Sequence, residues 1–289
     1  MPRIDAHQHF WQPARGDYGW LAVDDPALAP LQRDFLPSDL APLLRAHDVV
    51  RTVLVQAAPS VAETEFMLAL AERHEHVGGV VGWVDLAAPE GPAQIARLAA
   101  RPALKGLRPM LQDLPDPDWI ANAPSPESLR AMLAHGLRFD ALVKPPQLPG
   151  LRRFVEAWPT LPVVIDHAAK PPLASGWDEA PMQAWRREMA ALAAHPQVSC
   201  KLSGLLTELA PADRGARARM LDRLRPVADA LLAWFGPRRL MWGSDWPVLT
   251  LAAGYDEWVA VADALLTPLA IDERALVLHG TARRFYGLA

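Results

Sequence analysis

Eight short β-branched runs alternating with stretches of helical periodicity constrain this 289-residue chain more than any single motif does. The runs are Ile4–His9, Thr52–Gln56, Val80–Asp85, Leu104–Arg108, Phe139–Lys144, Val163–His167, Val198–Ser203 and Leu240–Asp245. Helices are predicted between them. One runs from Ser38 to His47 with Ser38 as its capping residue, and another covers Glu63 to Arg73 with Phe66, Leu70 and Ala71 on one face. Later helices span residues 127–134, 151–157, 182–194, 214–234 and 257–266. Strands joined by crossover helices are parallel, and eight of them in roughly 250 residues is the arithmetic of a closed α/β barrel, a (β/α)8 unit, here a single domain over residues 1–289. An open doubly wound sheet is the other solution, but no Gly-x-Gly-x-x-Gly follows the first strand to support its dinucleotide-binding form.

Composition narrows the partners. A net charge of −4 leaves no broad basic surface to neutralise phosphates, so neither nucleic acid nor a membrane surface is expected. No apolar run reaches 18 residues, and Met1-Pro-Arg leads straight into a strand without a charged-then-apolar leader. The one cysteine, Cys200, sits in a strand-like run as buried filler, which fits a reducing compartment and a cytoplasmic location. Nothing in the sequence speaks against a homo-oligomer. The 29 prolines cluster in loops such as 114–119 and 144–147, stiffening them.

In a (β/α)8 barrel the C-terminal strand ends open onto one mouth, which turns distant sequence positions into neighbours. His7 and His9 end the first strand, two residues apart and so on one side of it. Arg108 ends the fourth, Lys144 the fifth and His167 the sixth; Lys201 lies on the seventh; Asp245, in Met241-Trp-Gly-Ser-Asp-Trp-Pro247, ends the eighth beside the first. Converging imidazoles suit a borderline-soft cation such as zinc, or a carbonyl oxygen that needs polarising. Arg108 and Lys201 are candidate substrate contacts, with structural ion pairing as the alternative. Asp166, adjacent to His167 on the same strand, should face the other way. A carbamylated Lys144 could bridge two metals, although Pro145 and Pro146 follow it. Trp11, Trp20, Trp83, Trp119 and Trp246 are candidate aromatic faces for a sugar ring, with packing as the alternative, and Trp119 and Trp246 are taken as substrate contacts. His47, His74, His76, His135, His195 and His279 read as structural or capping.

Together, residues 4–11, Gly106-Leu-Arg-Pro109, Val164-Ile-Asp-His167, Lys201-Leu-Ser-Gly-Leu205 and Trp242-Gly-Ser-Asp-Trp-Pro247 resemble the amidohydrolase superfamily. They look most like its lactonase branch, a metal-dependent hydrolase group containing sugar-lactone hydrolases and pyrone-dicarboxylate lactonases. The resemblance runs from residue 3 to the closing Thr281-Ala-Arg-Arg-Phe-Tyr286. It implies a distorted (β/α)8 barrel with His7, His9, His167 and Asp245 as the central constellation. The fuller superfamily pattern carries one more histidine on a neighbouring strand, which has no counterpart here; this argues against a two-metal centre, and some lactonases of the branch use no metal.

The expected reaction is ring opening of a sugar-derived aldonolactone, a small-molecule substrate, with Asp245 as general base. With metal, His7, His9 and His167 hold one zinc ion and Asp245 ligates it or binds its water. Without metal, the histidines donate hydrogen bonds to the developing oxyanion. A metal-dependent decarboxylase of the same superfamily and a non-catalytic sugar- or metal-binding barrel are the rival readings. Because few cations reach the mouth, a neutral polyol lactone is expected in preference to a pyrone dicarboxylate.

Overall fold

The computed structural model describes residues 1–21 and 24–289. Eight parallel strands follow one another in sequence order around a ring: β1 (Arg3–Gln8), β2 (Val49–Val55), β3 (Val77–Gly82), β4 (Leu104–Leu107), β5 (Arg138–Ala141), β6 (Val163–Ile165), β7 (Val198–Leu202) and β8 (Leu240–Trp242). The helices are α1 (Pro37–Ala46), α2 (Val61–Arg73), α3 (Gly91–Ala99), α4 (Trp119–Asn122), α5 (Pro126–Ala134), α6 (Leu148–Ala157), α7 (Ala180–Ala193), α8 (Arg217–Phe235), α9 (Tyr255–Leu266), α10 (Ile271–Ala275) and α11 (Thr281–Tyr286). This is the expected (β/α)8 barrel.

The ring closes in an informative way. Neighbours from β1 to β8 form continuous ladders, but β8 meets β1 just beyond their regular pairing, through a bridge between Gln8 and Trp246. There the Asp245 N–H donates to the His7 carbonyl at 2.8 Å and the His9 N–H to the Trp246 carbonyl at 2.7 Å. The seam is therefore made by the backbone of the candidate site residues.

Local chemistry moves several boundaries. Ser38 does not cap α1: the helix starts at Pro37, whose fixed φ suits a first turn, and the Asp39 carboxylate accepts the Leu36 N–H at 2.8 Å. On α2 the buried residues include Met67, Leu68 and Leu70, while Phe66 and Ala71 lie at its half-buried edge. Helix α3 goes unread in the sequence because Gly91-Pro92 resembles a loop, although proline is well accommodated in a first turn. Strands β5, β6 and β8 stop two or three residues before their polar ends, so Lys144, His167 and Asp245 stand on turns above the sheet. Cys200 is fully buried, as expected.

Candidate active site

Two of the key side chains are delivered by unusual backbone. Asp245 adopts φ +61°, and His167, Ala168, Ala169 and Lys170 form a run with φ between +51° and +56°. Non-glycine residues in this left-handed region each cost about 1–3 kcal/mol and persist only where the surroundings enforce them. Glycine makes room on either side. A Cβ on Gly243 would come within 2.9 Å of His7 Cβ, and one on Gly204, itself at φ +62°, would run into the His167 ring. The turn at 166–169 also corrects the strand-parity expectation. Because β6 has ended, Asp166 and His167 both reach the same interior.

There the four predicted side chains meet. His7 Nε2 lies 3.2 Å from His9 Nε2. Asp245 Oδ1 lies 3.3 Å from His9 Nε2, 3.7 Å from His167 Nε2 and 3.8 Å from His7 Nε2. All four residues are 5% exposed or less. Each ring is fixed from behind: His9 Nδ1 donates to the Val55 carbonyl at 2.7 Å, His167 Nδ1 pairs with Ser203 Oγ at 2.9 Å, and His7 Nδ1 sits 3.3 Å from Asp166 Oδ1. Burial pushes His167 down to about 4, against the pull of Asp245, and lowers His7 well below its ordinary value with help from the Lys201 ammonium. Both rings are neutral near pH 7. Burial alone would raise Asp245, but the surrounding imidazoles, His167 foremost, outweigh it and hold the carboxyl below the usual range.

Beneath the four lies a layer that sequence reasoning largely missed. Lys201 is fully buried, not in the mouth; its ammonium pairs with Asp140 at 2.6 Å and Asp166 at 2.9 Å and approaches His7 Nδ1 at 3.1 Å. Tyr286 donates to Asp140 at 2.6 Å. The two carboxylates divide the roles. Burial raises Asp140 despite Lys201, whereas Lys201 and His7 overcome burial at Asp166 and hold it well below its ordinary value. Arg108 pairs with Asp166 at 3.2 Å, donates to the Gln56 carbonyl and reaches within 3.4 Å of His7 Nε2. Asp5, raised to about 6 by burial, accepts from Ser244 N at 2.8 Å and Tyr255 Oη at 3.0 Å, bracing the turn that carries Asp245. Only the inward parity of Asp5, Asp140 and Lys201 on their strands could have disclosed this layer.

A cavity of about 170 Å³ opens above the four, large enough for a single sugar-sized ring. His9, His167, Asp245 and Arg108 form its polar end, and Trp11, Trp20, Met110 and Leu142 contribute its apolar wall. The other predicted contacts lie elsewhere. Trp246 is buried against Phe10 and Phe35, and Trp83 and Trp119 line a neighbouring groove. Lys144, half exposed, pairs with Asp113 at 3.0 Å and stays away from the histidines. Lys170, which the sequence places just beyond His167, does line the cavity and pairs with Glu208 at 3.3 Å.

The donor set fits a metal ion. In the tautomer that donates its Nδ1 proton to the Val55 carbonyl, His9 turns a lone pair on Nε2 toward His7 Nε2 and the Asp245 carboxylate oxygen. Such atoms repel unless a proton or cation lies between them. His7 Nε2, His9 Nε2 and Asp245 Oδ1 stand 3.2–3.8 Å apart, close to the ~3.4 Å between donors at ~2.0–2.1 Å from a tetrahedral zinc, and His167 Nε2 stands 3.7 Å from the same carboxylate oxygen. His7, His9 and Asp245 form one compact group of candidate ligands; His7, Asp166 and His167 form a second that shares His7.

Comparison with known proteins agrees with this geometry. The family profile described as amidohydrolase matches residues 4–288. An L-fucono-1,5-lactonase of Burkholderia ambifaria is 49% identical over 98% of this chain and 95% of its own length, and one of Burkholderia multivorans is 39% identical over 99% and 96%. A crystal structure of an amidohydrolase from Burkholderia multivorans with bound zinc superposes with a TM-score of 0.90 at 38% identity, covering both chains completely.

Proposed function

The chain belongs to the amidohydrolase family, and we propose that it is a lactonase that opens a sugar-derived 1,5- or 1,4-aldonolactone, deoxy sugars included. The single observation that carries this reading is the convergence of three imidazoles, those of His7 and His167 neutral, on an ionised carboxylate at the floor of a sugar-sized cavity.

Asp245 is the proton acceptor. Ionised and buried, it takes a proton from the attacking water as the water oxygen bonds to the lactone carbonyl carbon. The ring C–O bond then breaks, and the Asp245 carboxyl returns its proton to the departing ring oxygen, giving a hydroxy acid. One divalent ion, zinc, would be held by His7, His9, His167 and Asp245; when bound it supplies Lewis acidity to the carbonyl and lowers the pKa of water toward ~7. Arg108 directs its cation toward the carbonyl end. Trp20 offers an indole face on which the ring can lie, backed by the buried Trp11. The two cations that line the cavity, Arg108 and Lys170, already pair with Asp166 and Glu208, which disfavours a dicarboxylate substrate.

A lactone screen with a pH indicator, run with chelated and with zinc-supplemented enzyme, tests the reading. Hydrolysis of five- or six-membered aldonolactones and one zinc per chain by elemental analysis are expected. Turnover of a pyrone dicarboxylate with sugar lactones inert would overturn the substrate assignment. Carbon dioxide release from an aromatic acid would replace the lactonase by a decarboxylase, and two metal equivalents would refute the single site.

A further inference from the structure

The opposite end of the barrel holds a second concave site with no part in this chemistry. It is a pocket of about 610 Å³ around the N-terminal ends of β5, β7 and β8, with Arg138, Arg238, Arg239 and Arg284 among its walls. No aspartate or glutamate lines it, and none of the four forms an ion pair among the described residues. Elsewhere the arginines Arg3, Arg97 and Arg217 each hold a carboxylate within 3.0 Å.

The four are not equivalent. Arg239 is spent on backbone: it donates to the carbonyls of Ala193, His195, Val198 and Trp234, closing the ends of α7 and α8, and contributes its charge alone. Arg138 donates to the Phe285 and Gly136 carbonyls and keeps one terminal nitrogen free. Arg284 uses one nitrogen on the Arg238 carbonyl, and the Arg238 guanidinium makes no hydrogen bond. Ser199, itself only 7% exposed, lines the same pocket and adds a hydroxyl to its wall.

We propose that this pocket binds a compact, multiply charged oxyanion of the phosphate or phosphate-ester class. Guanidinium groups collected in one concavity repel one another and focus a positive potential in an otherwise acidic chain. Their planar forks match the oxygens of a phosphoryl group in paired hydrogen bonds, and the Ser199 hydroxyl supplies another donor. The concave shape favours a small anion over a polymer. Because it touches strand starts rather than strand ends, the anion stabilises the fold and leaves the chemistry at the mouth unchanged.

Thermal melts in orthophosphate, pyrophosphate and a hexose phosphate, against chloride at equal ionic strength, test the proposal. At ~10 mM anion, Tm should rise by about 3 °C or more, the scale expected for a saturated site on a chain of this size. In Arg238→Ala/Arg284→Ala the rise should vanish while the basal Tm and lactone hydrolysis stay unchanged. The charge-keeping Arg238→Lys/Arg284→Lys pair should recover part of it. A hexose phosphate outperforming orthophosphate identifies the ester as the ligand, and the reverse identifies the free anion. Phosphate line broadening by ³¹P NMR on wild-type protein gives a readout independent of variant folding. No phosphate-specific rise, a rise that survives in the double alanine variant, or binding of oligonucleotide without any effect of small phosphates would each overturn it.

Discussion

The two ends of the barrel hold charge in opposite ways. Just beneath the mouth, Asp140, Asp166 and Lys201 are completely shut off from solvent and Arg108 nearly so, and they pair with one another and with Tyr286. The backbone there is bent into left-handed turns at residues 167–170 and 245. At the other end, Arg238 and Arg284 are exposed, Arg239 ends on carbonyls, and β5, β7 and β8 start with regular backbone. A buried charge network holds only while every partner is present, and local strain accumulates where geometry must be enforced. The mouth is thus built for position, and the opposite end for exposure to solutes.

The sharpest way to break this contrast is Asp245→Asn. The amide keeps size and left-handed tolerance but cannot accept a proton, so kcat should fall by at least ~10³ with the melting curve intact. His7→Ala, His9→Ala and His167→Ala should be comparably severe and should also lower zinc content by elemental analysis. Near-normal turnover in a folded Asp245→Asn protein would remove the base from the scheme.

How much of this could be read from the chain follows from what each signal depends on. The barrel was legible because β-branched runs and helical periodicity are local properties, and the mouth because a (β/α)8 ring brings all strand ends together. His7, His9, His167 and Asp245 could be grouped on that basis. Lys201 was misplaced because a basic residue on a strand reads the same whether it faces a mouth or a buried carboxylate pair; only the positions of Asp140 and Asp166 decide. Trp246 and Trp119 went astray for a related reason. An indole after a strand packs either under the loop or over the cavity, and Phe10 and Phe35, distant in sequence, draw Trp246 under. Asp166 was misread because strand parity was carried past Ile165, where β6 had already ended.

Lys201→Met probes the layer below the histidines. It leaves two buried carboxylates around an apolar chain, and breaking such a network by removing one partner costs about 3–5 kcal/mol. Lower Tm and lower kcat are both expected, since Asp166 and His7 lose their common neighbour. Restoring charge balance with Asp140→Asn in the same chain should recover part of the stability, measured by denaturant melts. A single variant as stable as wild type would show that the mouth does not depend on mutual compensation.

Glu63 offers a smaller, pH-dependent test. Its carboxylate accepts the Ala57 and Ala58 N–H groups behind the cavity wall, and burial raises it to about 7. A carboxyl whose folded value exceeds its unfolded one near 4.5 binds more protons when folded. Its stabilising contribution is fully present below pH 4.5 and is lost as pH rises through 7. His167, lowered to about 4, acts in the opposite sense: its contribution is present above 6.5 and lost as pH falls toward 4. Glu63→Gln removes only the first slope. The stability difference between wild type and variant should therefore shift by about 3 kcal/mol in the variant's favour from pH 4.5 to pH 7.5. A pH-independent difference would place Glu63 in an ordinary hydrogen-bonding role.

The smallest effect is expected at His279. It lies in the π-helical turn Leu276–Gly280 before α11, its imidazole has no hydrogen-bond partner among the described residues, and it does not line the cavity. Single π turns often mark functional sites, so His279 is the histidine outside the mouth with the strongest claim to a role. The packing argues otherwise. Val277 and Leu278 of the same turn are buried while His279 stays half-buried at the surface, so the wide turn serves to seat apolar side chains. His279→Ala should change kcat by less than about twofold and stability by no more than about 0.5 kcal/mol, as for a surface substitution away from special features. A loss of activity comparable to that of His167→Ala, with folding intact, would mean that the chemistry extends past the mouth and that the division between the two ends has been drawn in the wrong place.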